Sequence, residues 1–344
     1  MTFDGSAAFI GRLSRWCREQ AGELRDVLQQ AYDATAAPHS PATLDHRRVL
    51  TWPRNQDRHQ LWSRAGVGVM HMAVSVADHL RTLGLALEQP DAAPIYTHAT
   101  IARAAVESAG FQAYLLDASV TPKERFARAM ARLLEDGDAA RRAAMRVPAM
   151  PAMPAPGPAM TAEYQKLCDD MARAMIEIVE GKRGPKAVVV EPGTEPMPIL
   201  VQASTVVEAA FARLPAVYAL LSGTTHAMPW RLADNAQISA RYGVWAPDPI
   251  DLGASVVAAL AAGLLTAEVN RGYRSVDTGA RLFELRCRYK AAATPFAGSV
   301  CDAWEHPTAS RCARGGSTAG SAERRRNRCL RVAETYTPGS RIRT

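Results

Sequence analysis

In the stretch TIARAAVESAGFQAYLLD, residues 100–117, an arginine and a glutamate stand four positions apart on what otherwise reads as an apolar helix. At i and i+4, Arg103 and Glu107 share one helix face. An exposed pair of this kind is worth about a few tenths of a kcal/mol, and the better order puts the glutamate first, which is not the order here. The pair borders Ile101, Ala104, Ala105, Ser108 and Leu115, and Tyr114 continues its stripe. Charges that are partly buried cost several kcal/mol unless they find partners. The spacing therefore predicts that Arg103 and Glu107 meet polar groups across a helix bundle, drawn from His79, Arg125, Arg128, Tyr218, Ser222 and His226. Such a set either fixes helix register or lines a small-ligand site, and both readings stay open at this point.

The other chemically capable sets are poorer. His71, Ser75 and His79 recur at steps of four, but the two histidines lie about 12 Å apart along a helix axis, too far to share one metal ion. Ser222 and His226 flank Gly223, which is expected to break the helix between them. They have neither a GxSxG elbow nor an acidic orienter, so a serine hydrolase is not expected. Cys301, His306 and Cys312 lack the short paired spacing of a zinc site. No metal and no other cofactor is expected.

The segment RNQDRH, residues 54–59, resembles the Arg-Asn-x-x-x-His signature of HEPN-type helical endoribonucleases. The resemblance implies catalytic roles for Arg54 and His59 at a helix start, without metal. The histidine would move the proton of a 2′-hydroxyl, and the arginine would stabilise developing phosphate charge. The placement departs from the family, in which the motif opens a late helix; here it follows the first, where a solvated connection accounts for the same residues. A second resemblance spans about residues 60–230. The order ADHL, THATIARAAVESAGFQAYLLD, ERFARAMA, YALLSGTTH looks like an all-helical family of high-GC bacteria. That family has a Thr-x-x-Arg-x-x-x-Glu helix, an aromatic-Leu pair and a late Leu-Ser-x-x-x-His. The matching positions are Thr100, Arg103, Glu107, Tyr114 with Leu115, and Leu221, Ser222 and His226. It implies a helical fold and a cytoplasmic location and brings no activity with it.

The elements that must position these residues are helices. Phe9, Leu13, Trp16, Cys17, Leu24, Val27, Leu28 and Ala31 recur at the helical period and predict a helix over 6–33. After the polar connection TAAPHSPATLDHRR, a second is predicted from about 59 to 87, and a third over 97–117. The sequence TPKE, 121–124, is a capping signature that opens a fourth, running to about 145. A fifth is expected over 161–181. The stretch 186–201 reads as a small β-hairpin whose prolines confine it to an edge. Thr205 and Glu208 read as a capping box for a helix kinked by Pro215 and ended near Gly223. Further helices are expected near 228–240 and 252–290.

Composition agrees with an all-α multi-helix bundle. Aromatics make up only 6% of 344 residues, while 48% are hydrophobic, enough for a sizeable core. The repeated prolines of VPAMPAMPAPGPAM break the helical pattern. The organisation expected is an N-terminal helical region over 1–146, a Pro/Met-rich linker over 147–160, a C-terminal helical region over 161–290 packing on the first, and a disordered basic tail over 291–344. The formal charge of +7 sits mostly in that tail, where nine arginines face Asp302, Glu305, Glu323 and Glu334. The nearly neutral body does not carry a nucleic-acid footprint, so nucleic acid is a partner only on the ribonuclease reading. No charged and apolar leader opens the chain, and the longest apolar run, ASVVAALAAGLL, is too short to span a bilayer. The expectation is a cytoplasmic helical protein without a membrane partner. Its leading function is a non-catalytic interaction or regulatory module that binds another protein or itself. The alternatives are the ribonuclease and a small-ligand-binding bundle.

Overall fold

A computed structural model of the chain describes residues 3–89, 93–150, 154–182, 184–229, 232, 236–238 and 245–294. Three of its helices begin alike. Ser40, Thr121 and Asp248 each precede a proline, and each side chain accepts a hydrogen bond from a first-turn N–H: Thr43 to Ser40, Glu124 to Thr121, and Ile250 and Asp251 to Asp248. The proline presets φ for the helix and lacks an N–H that would otherwise go unpaired.

In chain order the helices are α1 (Phe3–Asp33), α2 (Pro41–Thr51), α3 (Asn55–Ala86), α4 (Thr97–Leu115), α5 (Pro122–Ala144), α6 (Gly157–Arg173), α7 (Ala203–Ala210), α8 (Val217–Thr225), α9 (Pro249–Arg274) and α10 (Gly279–Ala293). Between α6 and α7 run the strands β1 (Glu177–Gly181), β2 (Gly184–Val189) and β3 (Met197–Pro198). Short β4 (Ala236–Ile238) and β5 (Trp245–Pro247) pair before α9. The fold is all-α: helix makes up 71% of it, in ten helices among the described residues.

Helices α1, α3, α4 and α9 pack on one another, and α10 closes over α1 and α9. Helix α9 is apolar on nearly every face, as a helix surrounded by others should be. Leu252, Val256, Leu260, Leu264 and Ala267 are all buried, each larger side chain contributing about 1.5–3 kcal/mol of transfer free energy. By length and composition α9 could cross a membrane, yet 78% of its most apolar window is buried inside the fold. Helices α1 and α3 touch closely at Gly84, whose carbonyl accepts from Ser14 Oγ at 2.7 Å. A Cβ there would lie 2.6 Å from Arg18 Cγ and 2.9 Å from the Ser14 carbonyl oxygen, so only glycine fits. A second cluster joins α2, α3, α5, α6 and the sheet through Trp52, Phe126, Met130, Leu167, Met171 and Val188. Contacts gather residues 1–301 into one unit, and a second unit, 302–344, lies outside the described residues.

Several expectations are corrected. The polar connection after α1 contains a helix, α2, started by Ser40 and Pro41. The helix expected over 161–181 stops at Arg173. Met175 then turns the chain at φ 56°, and 177–181 pairs with β2 instead. The expected hairpin is β2 with β3, extended by β1 to three antiparallel strands in the order β1-β2-β3. Pro185 stands where the β1–β2 register shifts, and Pro198 lies on the edge strand β3. Thr205 does not cap: α7 starts at Ala203 and ends at Ala210, and Pro215 lies between two helices rather than kinking one. Within the stretch expected to be helical over 228–240, residues 236–238 form β4. The helix expected over 252–290 is two, parted by Ser275 in the left-handed conformation, φ 52°. Of the basic tail, only 291–294 are described, and α10 ends there.

Candidate functional site

Arg103 lies at the junction of α4 and α8. Its Nε donates to Glu107 Oε1 at 2.7 Å, one Nη meets His226 Nε2 at 2.8 Å, and the other donates to the Tyr218 hydroxyl at 3.2 Å. The guanidinium also lies over the Tyr218 ring, 5.3 Å from its centroid. A guanidinium only donates, so Nε2 of His226 is the acceptor in this contact. Burial alone would pull Arg103 down, but the Glu107 carboxylate more than offsets it and holds the group above its ordinary value. Thr225 reaches Thr100 at 3.4 Å beside this set. All three nitrogens of the Arg103 guanidinium have a protein partner, so the cluster has the character of a helix clamp.

The remaining residues expected to join Arg103 lie elsewhere. His79 bonds its own helix, with Nδ1 2.7 Å from the Ser75 carbonyl, and Ser75 reaches Ser108 of α4 at 3.4 Å. Ser222 and His226 belong to one continuous helix end, since the His226 N–H donates to the Ser222 carbonyl at 2.9 Å. Glycine at 223 therefore does not separate them. Arg128 stacks 4.3 Å over the Tyr114 ring and binds Glu124 at 2.7 Å and the Tyr114 carbonyl at 2.8 Å.

Arg125 forms a separate and deeper pair. Its Nε donates to both oxygens of Asp45 and an Nη donates to Oδ1 at 2.7 Å; the two side chains are 2% and 1% exposed. The other Nη satisfies the carbonyls of Asp117, at 2.8 Å, and Val120. Tyr273 donates to Asp45 Oδ2 at 2.9 Å. Burial pushes the Asp45 carboxyl up against the pull of these donors, and Asp45 in turn holds Arg125 above its ordinary value. Asp45 and Tyr273 had no role in the sequence reading. Once α2 is recognised, Asp45 falls on its inner face beside Val49.

The RNQDRH segment is the α2–α3 junction. Arg54 is exposed at the N-cap of α3 with φ 56° and no side-chain cap bond. His59 lies one turn into the helix, its ring edge-on to His46 of α2 with centroids 5.6 Å apart. Among the described residues no hydrogen bond joins Arg54 to His59. The deeply buried residue of the motif is Arg58, which stacks on Trp52 and Phe126 and donates to the carbonyls of Ala174, Met175 and Val190. Glu191 binds the Trp52 indole, Arg48 at 2.9 Å and Lys123 at 2.7 Å, tying the sheet to α2 and α5.

Between α1, α2, α3, α4, α5 and the C-terminal end of α9 lies a half-open cavity of about 210 Å³. Trp62, Val69, Leu115, Leu116 and Ala129 make its apolar wall. Its polar end is Tyr32, Asn270, Tyr273 and Arg274. Asn270 Nδ2 is committed to the Thr266 carbonyl at 2.8 Å and Tyr273 to Asp45. Arg274 donates to the Ala34 carbonyl at 2.9 Å and lies 5.7 Å from the Tyr32 ring centroid, but its buried Nε has no acceptor. A larger polar depression of about 430 Å³ lies between the α5 start and β3, where Lys123 is already engaged by Glu191. Comparison with protein-family models, with curated proteins and with solved structures finds no match for this chain.

Proposed function

We propose that this chain is a non-catalytic helical module that binds a small molecule in the cavity beside α9. The observation that carries this reading is a mostly apolar cavity of about 210 Å³ with one polar end. An apolar core cavity of about 150 Å³ already accepts a benzene-sized guest, and pockets of this make-up between helices are the usual place for small ligands. The ligand-site reading thereby moves from the Arg103 cluster, where each guanidinium nitrogen already has a protein partner, to Arg274. A cytoplasmic setting belongs to the same proposal and rests on the sequence alone.

The test uses Gly66, an exposed helix glycine on the cavity wall whose added Cβ would meet nothing within 4 Å. A panel of one-ring aromatics and short aliphatic molecules is scored by melting temperature on the native chain and on Gly66→Leu. Stabilisation of the native chain that is lost in Gly66→Leu supports the reading. No stabilisation by any compound, or equal stabilisation of both proteins, overturns it.

A second reading, metal-independent cleavage of RNA, draws support from one arrangement: the His46 and His59 rings, 5.6 Å apart, supply two imidazoles that can act as base and acid. Purified chain incubated with RNA in chelator should then cut it, and His59→Ala and His46→Ala should each abolish cutting. Cleavage that survives both changes removes this reading.

A further inference from the structure

We infer that the cavity's ligand is a compact apolar carboxylate whose acid group is held by Arg274; this rests on the reading of the cavity as a small-molecule site. Arg274 lines the cavity. One of its donors is spent on the Ala34 carbonyl at 2.9 Å, while Nε is buried and lacks an acceptor. Among the described residues no carboxylate lies within ion-pair distance of it. Arg125 shows one way this chain satisfies an internal arginine, with a carboxylate on Nε and Nη and carbonyls on the remaining Nη; Arg58, held by three carbonyls alone, shows another. Arg274 has the carbonyl and lacks the carboxylate.

The fork of a guanidinium matches two coplanar oxygens, and a charge-assisted pair is the strong form of this bond. The rest of the cavity limits the guest. Its other polar groups, Asn270 and Tyr273, already serve the protein, which leaves Tyr32, whose ring centroid lies 5.7 Å from the Arg274 guanidinium, as the further polar residue of the lining. The wall of Trp62, Val69, Leu115, Leu116 and Ala129 offers no partner to a second charge or a polar tail. One anionic head, two oxygens and a body of one ring or a short chain satisfy these constraints. A phosphate monoester, with more charge and more acceptor oxygens, would leave most of them unpaired.

Calorimetric titration with phenylacetate and hexanoate, against phenylacetamide and hexanamide, tests this directly. On the native chain each acid should bind about tenfold or more tighter than its amide, the value of a charged over a neutral hydrogen bond. The gap should shrink to within about threefold in Arg274→Gln and be partly kept in Arg274→Lys. Amides that bind as tightly as acids would overturn the carboxylate while leaving the cavity reading intact. A native chain that binds none of the four would overturn both. Should Arg274→Gln fail to fold by circular dichroism, the acid–amide comparison on the native chain still decides.

Discussion

Tyr273 donates its hydroxyl to Asp45 Oδ2 at 2.9 Å while its ring lines the cavity. The cavity is thus fixed to the most buried ion pair among the described residues. Burial and the negative charge of Asp45 push the Tyr273 phenol far above its ordinary range, so the group stays protonated and keeps its donor role at any physiological pH.

Breaking that pair from one side should be severe. Arg125→Met leaves the Asp45 carboxylate buried without its partner, and Asp45→Leu leaves Arg125 likewise; each is expected to cost about 3–5 kcal/mol. The double change to Met and Leu should cost well under the sum. A urea-unfolding double-mutant cycle measures this, and single changes costing under about 1 kcal/mol would contradict the role given to the pair.

The Arg103 clamp should be milder. Its side chain is 16% exposed and that of Glu107 is 29% exposed, so water can replace part of what is lost. Arg103→Ala is expected to cost roughly 1–3 kcal/mol, the range for hydrogen bonds to charged groups, with the helical signal of the native chain retained. Outright loss of the fold in circular dichroism would mean that the cluster is far less replaceable than its exposure implies.

Acid should loosen the sheet first. Burial opposes ionisation of Glu191, but Lys123, the Trp52 indole and Arg48 hold its carboxyl below the usual glutamate value. A depressed value in the folded state means that the unfolded chain binds this proton more readily. The stabilisation is complete above the ordinary value of about 4.3, and it is lost as pH falls through the lower, folded one. Glu191→Gln should lower stability near neutral pH and flatten the acid limb of a stability–pH curve. An unchanged acid limb would count against the clasp.

Thiol labelling should separate two cysteines cleanly. Cys17 is fully buried, and burial pushes its thiol up to about 12. Cys287 is exposed. Iodoacetamide at pH 8 followed by peptide mapping should modify Cys287 in the native protein and reach Cys17 only with global unfolding. Early modification of Cys17 would show that α1 opens locally.

Periodicity made the large helices legible. Leu13, Leu24, Val27, Leu61, Val69 and Leu80 all point inward as their spacing requires, and Thr121-Pro122 marks the start of α5. What escaped was written in other terms. Ser40-Pro41 carries the same start signal as Thr121-Pro122, but its helix is short and polar, so α2 passed as a connection and Asp45 went with it. The strand β1, with Ile178 and Val179, is held by pairing with residues ten or so positions later, which a local pattern does not contain. Ser275, Ala216 and Met175 take left-handed backbone conformations that end or separate elements, where glycine would have given notice. At the site, the helix spacing of Arg103 and Glu107 led to Tyr218 and His226. No spacing placed Arg274 on a cavity, because that depends on how α9 packs against the helices that line it.

Gln20, on the first helix, donates to the Leu260 carbonyl at 3.0 Å across 240 residues of chain, and Arg288 of α10 returns to Gln20 and to Glu23. The ribosome therefore delivers α1 long before the segment that covers it. At ordinary elongation rates the wait is on the order of ten to fifty seconds. During that interval the side of α1 that meets α9 goes uncovered, and a truncated product ending before residue 249 would carry it open into the cell.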